Sequence, residues 1–288
     1  MTTIDLNADL GEGFGRWTLG DDDALLDVVT SANVACGFHA GDPAGLLRVV
    51  DAAHRRGVVV GAHVSYRDLV GFGRRYVEAS HDELVADVVW QVGALTGLSR
   101  AVGASVRYVK PHGALYSVVA DADGRGAVHA GAVIEAVLRL DPSLPVVGLA
   151  GSAFLRRAEQ EGLHVVAEAF ADRAYDATGA LVPRSRPGAV LHDAGEVRDR
   201  VLQLVETGTV RSVDGAVVEL RADTVCVHGD SPDAVAIAVG VRGALEEARV
   251  DLRPFVAVPQ VPGASAAPRA PGPTGVPAPP LDPEATAR

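Results

Sequence analysis

Histidines, carboxylates and one lysine recur in this chain directly after short apolar runs, a distribution suited to acid–base and hydrolytic chemistry. Five segments share one layout of strand-like run, polar and Gly-rich residues, then helical pattern. They are IDLNADLGEGFG (Ile4 to Gly15), SANVACGFHAGDP (Ser31 to Pro43), VVVGAHVSYRDLVGFGRR (Val58 to Arg75), VRYVKPHGALY (Val106 to Tyr116) and TVCVHGDSPDA (Thr224 to Ala234). In the first, Asp5, Asn7 and Asp9 alternate and therefore share one face of a strand. Asp9 and Glu12 are candidate general acids or bases, and Asn7 is a candidate substrate contact. His39 follows the second strand as a further substrate contact, and His63 ends the third.

The fourth segment says most. Lys110 precedes a proline that enforces extended backbone, so Lys110 and His112 project to the same side as catalytic candidates. An ammonium in an apolar strand needs a carboxylate or a substrate oxyanion beside it. Glu168, inside the apolar run of VVAEAFADRAY, is either that partner or an acid–base group near the substrate. His228 and Asp230 end the last segment on one side, as catalytic candidates. Arg74, in the basic pair of GFGRR, could clamp a substrate carboxylate, although surface solubility explains an Arg pair equally well.

Plainer readings compete at other positions. Cys36 is better read as a small buried hydrophobe than as a nucleophile paired with His39, and Asp42 before Pro43 is explained as a helix cap. His54, His81, His129, His164 and His192 fall in helical or turn positions and read as structural or exposed. No HExxH spacing occurs, so a catalytic metal is left open rather than indicated, with His39 and His63 as its candidate ligands. A Walker GxxxxGK[ST] sequence is absent too, which puts any orthodox nucleotide site on another chain.

These groups need a scaffold that gathers strand ends, and β-branched runs alternate with longer helical patterns nearly throughout. Strands are expected at Ile4 to Asp9, Ala32 to Cys36, Val58 to His63, Val106 to Lys110, Pro145 to Leu149, His164 to Ala169, Ala189 to Leu191 and Thr224 to His228. Helices are expected at Asp22 to Thr30, Pro43 to Arg56, His81 to Val102, Ala127 to Arg139, Ser152 to Glu161, Ala194 to Glu206 and Pro232 to Glu247, with caps at Asp42, at Ser80 with Glu83, and at Ser231. Eight strands fit a single α/β chain folded as a TIM-like (β/α) barrel, closed or nearly so. A doubly wound sheet is the alternative, but GEGFG lacks the G-x-G-x-x-G spacing. Residues 1–256 are expected to form the barrel and 257–288 a disordered Pro/Ala/Gly-rich tail, because the stretch from Pro254 holds ten of the chain's 17 prolines.

A formal net charge of −11 over 288 residues, without a basic stripe, speaks against nucleic acid and anionic membranes as partners. Two cysteines in apolar runs, an acidic start and no run of ~20 apolar residues fit a soluble cytoplasmic protein.

The strings DLNADLGEGFG, SANVACGFHAGDP, GFGRR, VKPHGALY, EAFADRAY and CVHGDSP, spread from about Ile4 to about Phe255, resemble the LamB/YcsF family. The resemblance implies a barrel of the glycoside hydrolase/deacetylase type. It also implies the role of the A subunit in an ATP-hydrolysing 5-oxoprolinase, working with subunits B and C and MgATP to open 5-oxo-L-proline to L-glutamate. Val64 and Arg67 depart from the prolines of the family's GAHPSYPDL loop, and the Pro-rich tail is additional. A stand-alone metal-dependent amidohydrolase or deacetylase, and a non-catalytic carrier of a small acid, are the competing readings.

Overall fold

The computed structural model describes residues 2–121, 123–229 and 233–257. In chain order its elements are β1 (Thr3–Leu10), α1 (Asp22–Leu26), β2 (Ser31–Ala35), α2 (Pro43–Arg56), β3 (Val59–Val64), α3 (His81–Ala101), β4 (Val106–Pro111), α4 (Gly113–Ala120), α5 (Gly124–Leu140) and β5 (Val146–Leu149). They continue with α6 (Ala153–Gln160), β6 (Val165–Phe170), α7 (Ala194–Thr207), β7 (Thr209–Arg211), β8 (Val217–Glu219), β9 (Thr224–Val227), α8 (Ala234–Glu247) and β10 (Asp251–Leu252). Parallel pairing runs β1–β2–β3–β4–β5–β6–β9 and returns from β9 to β1, closing a barrel. Strand β10 pairs with the start of β1, and β7 with β8 makes a separate antiparallel hairpin.

The barrel therefore has seven staves, not the eight expected. Ala189 to Leu191 is the run that fails: Val190 makes one antiparallel bridge to Arg173, and Ala189 accepts from Ala174. Pro187 and Gly188 precede a run of three residues, too short to span the barrel wall, and it folds back on the segment leaving β6 instead.

Helix ends follow the local chemistry. Asp42 caps α2 through the Ala44 and Gly45 amides, and Ser80 with Glu83 forms a reciprocal capping box on α3. Helix α1 stops at Leu26 rather than Thr30, because the Thr30 hydroxyl turns to the Leu6 carbonyl and the Asp5 carboxylate at the barrel wall. Helix α4 was not expected, since HGALYS reads as the tail of a strand motif; it buries Leu115, Tyr116 and Val119. The expected cap at Ser231 and the start of α8 at Pro232 lie outside the described residues, as does the tail from residue 258.

The alternation in β1 sorts its side chains as read from the sequence. Ile4, Leu6, Ala8 and Leu10 join the large apolar cluster, while Asp5, Asn7 and Asp9 are buried within the ring of strands. The floor of the barrel is apolar: Val59, Tyr108, Val147 and Val166 pack together with Phe255 and Val256 against them. Tyr108 lies across this floor, and a Cβ at Gly61 would collide with its ring, so only glycine fits there. Among the described residues no helix is long and apolar enough to cross a membrane.

Candidate active site

Polar layers rise from the floor toward the carboxyl ends of the strands. Asp5 accepts from Ser31 and Thr30 at 2.6 Å each and from Thr224. Above it, Asn7 donates to Glu168 at 3.1 Å, and Asn33 donates to Asn7 at 2.6 Å and to Asp9 at 2.8 Å. Tyr108 ties this layer to the floor by donating to Asn33 at 2.7 Å. Each strand contributes one residue to a layer, so β1, β2, β4, β6 and β9 are locked in mutual register by side chains as well as backbone.

Lys110 occupies the centre. Its Nζ lies 2.8 Å from Glu168 and 3.2 Å from Asp9, and donates to Cys226 Sγ at 3.3 Å. Burial opposes its charge, but Asp9, Cys226 and Glu168 hold its pKa well above the ordinary value, so it is a fixed cation. Burial pushes the Asp9 carboxyl up, yet His63 and Lys110 beside it hold it well below the usual range. Asp9 is thus an anchored anion and a weak base.

Three imidazoles cover this pair. His63 Nε2 lies 3.3 Å from Asp9 Oδ1, and His112 Nδ1 lies 2.9 Å from His63 Nε2. The His39 ring stacks on His112 at 3.8 Å between centroids, and its Nε2 lies 3.5 Å from Glu12 Oε1. Burial, with the neighbouring rings adding to it, holds His39 and His112 well below the ordinary histidine value, so both are neutral. The loop after β3 closes tightly over them: Gly73, with φ +65°, packs where a Cβ would strike Ser65, His112 and His39.

That loop also resolves the basic pair. Arg75 binds Asp68, which also accepts from the Gly71 and Arg75 amides, so it is a structural clasp. Arg74 lies exposed over the Phe72 ring, 5.0 Å from its centroid. Where the family carries prolines, this chain fixes the loop otherwise: Gln91 bonds both backbone groups of Ser65 at 2.8 and 2.9 Å, and Arg67 pairs with Asp87 above the Phe38 ring.

On the opposite wall His228 Nδ1 lies 2.9 Å from both oxygens of Asp172, and its ring stacks on Phe170 at 5.2 Å. Burial raises Asp172, and His228 outweighs it, leaving the carboxyl below its usual range. This dyad leaves His228 Nε2 as its free nitrogen.

Asn7, Asp9, Glu12, His39, His63, Lys110, His112 and Glu168 are therefore one connected, buried group, with His228 facing it. Asp230 lies outside the described residues. Asp172, Phe170 and Cys226 belong to the same environment and were not singled out as site residues. ADRAY, directly after the Glu168 strand, is the signal that marks Asp172, since it repeats the strand-end position of the other acids. Cys36 is buried and its thiol is pushed up to about 12 by burial, which excludes it as a nucleophile at neutral pH.

A family model described as LamB/YcsF family matches residues 4–260. A Mycobacterium avium (strain 104) protein, named as a 5-oxoprolinase A subunit, is 60% identical over 255 residues, 88% of this chain and 100% of that one. A Pseudomonas syringae pv. tomato protein, named as the third of that organism's 5-oxoprolinase A subunits, is 58% identical, over 88% of this chain and 98% of its own length. The crystal structure of a lactam utilization protein from Thermus thermophilus superposes with a TM-score of 0.82 at 46% identity, covering 88% of this chain and all of that one.

Proposed function

The chain belongs to the LamB/YcsF family, and from that premise we propose that it is the A subunit of an ATP-dependent 5-oxoprolinase, opening the cyclic amide of 5-oxo-L-proline to L-glutamate. The observation that carries this reading is the union of near-complete coverage of 5-oxoprolinase A subunits with a buried acid–base centre at the strand ends. Subunits B and C and MgATP complete the reaction, in the cytoplasm. Trp17, Leu69 and Val70, exposed in the loops after β1 and β3, offer apolar surface for such partners.

The chemistry explains the need for ATP. A five-membered lactam is a resonance-stabilised amide with little ring strain. Transfer of the γ-phosphoryl group to its oxygen releases ADP and leaves a carbon open to water. Addition of water gives a tetrahedral centre that can expel either phosphate, returning the lactam, or nitrogen, opening the ring. Protonation of that nitrogen selects the second path and leaves an acyl phosphate, which a second water hydrolyses to glutamate and phosphate.

In this scheme Glu12, at the rim of the imidazole cluster, takes the proton from the attacking water, and His228, oriented by Asp172, delivers one to the departing nitrogen. Lys110 acts through charge: bound to Asp9 and Glu168, it keeps two buried carboxylates ionised and fixed. Arg74 binds the substrate carboxylate, with Asn7, His39 and Glu168 shaping the pocket. A stand-alone metal-dependent amidohydrolase is the second reading, favoured by the meeting of Asp9, Glu12, His63 and His112. One assay separates them: the purified chain is mixed with candidate B and C subunits, 5-oxoproline and MgATP, and glutamate and ADP are measured. Equal release of both is expected only with all components. Hydrolysis by the chain alone without ATP would replace the first reading with the second.

A further inference from the structure

We propose that Asp9, Glu12, His63 and His112 form a binding site for one divalent transition-metal ion. This inference stands on donor geometry and does not depend on the lactam reading. The hydrogen-bond network assigns both histidine tautomers. His63 Nδ1 faces the Lys110 carbonyl at 3.2 Å, and His112 Nε2 faces the Phe72 carbonyl at 2.9 Å. A carbonyl only accepts, so both of these nitrogens carry hydrogen. The remaining lone pairs, on His63 Nε2 and His112 Nδ1, then point at each other across 2.9 Å.

Two facing lone pairs repel unless something positive lies between or beside them. Here the surroundings add more electron density: Asp9 Oδ1 lies 3.3 Å from His63 Nε2, and Glu12 Oε1 lies 3.8 Å from His112 Nδ1. All four donor atoms fall within 4.8 Å of one another and all four residues are buried. Lys110 is already shared with Glu168, so it does not by itself neutralise both Asp9 and Glu12. Two imidazoles and two carboxylates together supply two negative charges and the borderline-soft donors that suit Zn²⁺, Co²⁺, Mn²⁺ or Fe²⁺ rather than Mg²⁺. The two carbonyl contacts are the outer-shell bonds that orient metal-binding imidazoles.

This assignment moves the metal reading away from His39. Its ring lies flat on His112, a stacking contact that leaves it beside the ligand set rather than in it. The competing occupant of the gap is a single proton shared by the two nitrogens.

The test uses the full-length chain, stripped with a chelator, then exposed separately to Zn²⁺, Co²⁺ and Mg²⁺, desalted and analysed for bound metal. One equivalent of Zn²⁺ or Co²⁺ is expected to remain, with no Mg²⁺ retained. His63→Ala and His112→Ala should each weaken Zn²⁺ binding by more than the ~10–100-fold that outer-shell changes cost, whereas His228→Gln should retain one equivalent. Should the alanine variants fail to fold, the wild-type cobalt spectrum decides: visible bands of a low-coordinate nitrogen–oxygen site support the proposal. Failure of the wild-type chain to retain Zn²⁺ or Co²⁺ overturns it, as does equal retention by both folded alanine variants. Imidazole NMR showing one proton shared between His63 and His112 in the presence of excess Zn²⁺ overturns it in the same way.

Discussion

Lys110 shows how a single side chain sets the character of the pocket. A primary amine with almost no solvent contact is tolerated because Asp9 and Glu168 flank it, so its removal strands two buried anions. Lys110→Met should lower stability by ~3–5 kcal/mol, the cost of breaking a buried ion pair, with denaturant unfolding as the check. The His228–Asp172 dyad makes a different claim, about protons. Asp172→Asn leaves the fold intact but frees the imidazole to take the other tautomer. Its kcat for glutamate release should fall within the ~10²–10⁴-fold span of positioned acid–base catalysis, with KM little changed. A rise in KM alone would make Asp172 a substrate contact.

Elements carry these residues to their places, and the loop after β3 is the most demanding of them. It must hold Gly73 against His39 and His112 without the prolines of its relatives, and Gln91 on α3 does much of that by bonding both backbone groups of Ser65. Gln91→Leu conserves volume but leaves two buried backbone groups unpaired, and should cost ~1–3 kcal/mol while raising KM through the loosened Arg74. A thermal melt and a substrate titration read the two effects separately. Much of this architecture is visible in the sequence. The Asp5–Asn7–Asp9 alternation tells which face of β1 is polar, and the strand-end histidines tell which end of the barrel holds the chemistry. The caps at Asp42 and Ser80 give helix starts to the residue. The missing eighth stave is not visible, because pairing of Ala189 to Leu191 depends on distant strands. Nor is the Lys110–Cys226 contact, since it spans the barrel interior between strands 116 residues apart. The pairing of His63 with His112 escapes for the same reason: it is set by the shared register of β3 and β4.

At the scale of the molecule, the barrel interior is filled by a hydrogen-bonded polar stack above an apolar floor, and its cost depends on pH. Asp5 sits at the bottom of the stack, its pKa pushed up to about 6 by burial despite bonds from Ser31, Thr224 and Thr30. A carboxyl whose folded pKa is raised contributes stability at low pH, and loses it as pH rises from about 3.8 through about 6. Between pH 7.5 and 5 the wild type should therefore gain ~1–2 kcal/mol relative to Asp5→Asn, a difference that cancels all other titrating groups. Paired urea titrations at the two pH values measure it, and a constant difference would mean that Asp5 is not ionised in the folded protein at pH 7.5.

Convergence of the strand ends on one catalytic centre is tested most directly by Glu12→Gln in the reconstituted complex. Glu12 lies within 4 Å of both His39 and His112, so an isosteric amide removes the base and leaves the packing in place. Glutamate release should fall by at least ~10²-fold while the thermal unfolding midpoint stays near that of the wild type. Release within a few-fold of the wild-type rate would contradict a reaction centre at this mouth of the barrel.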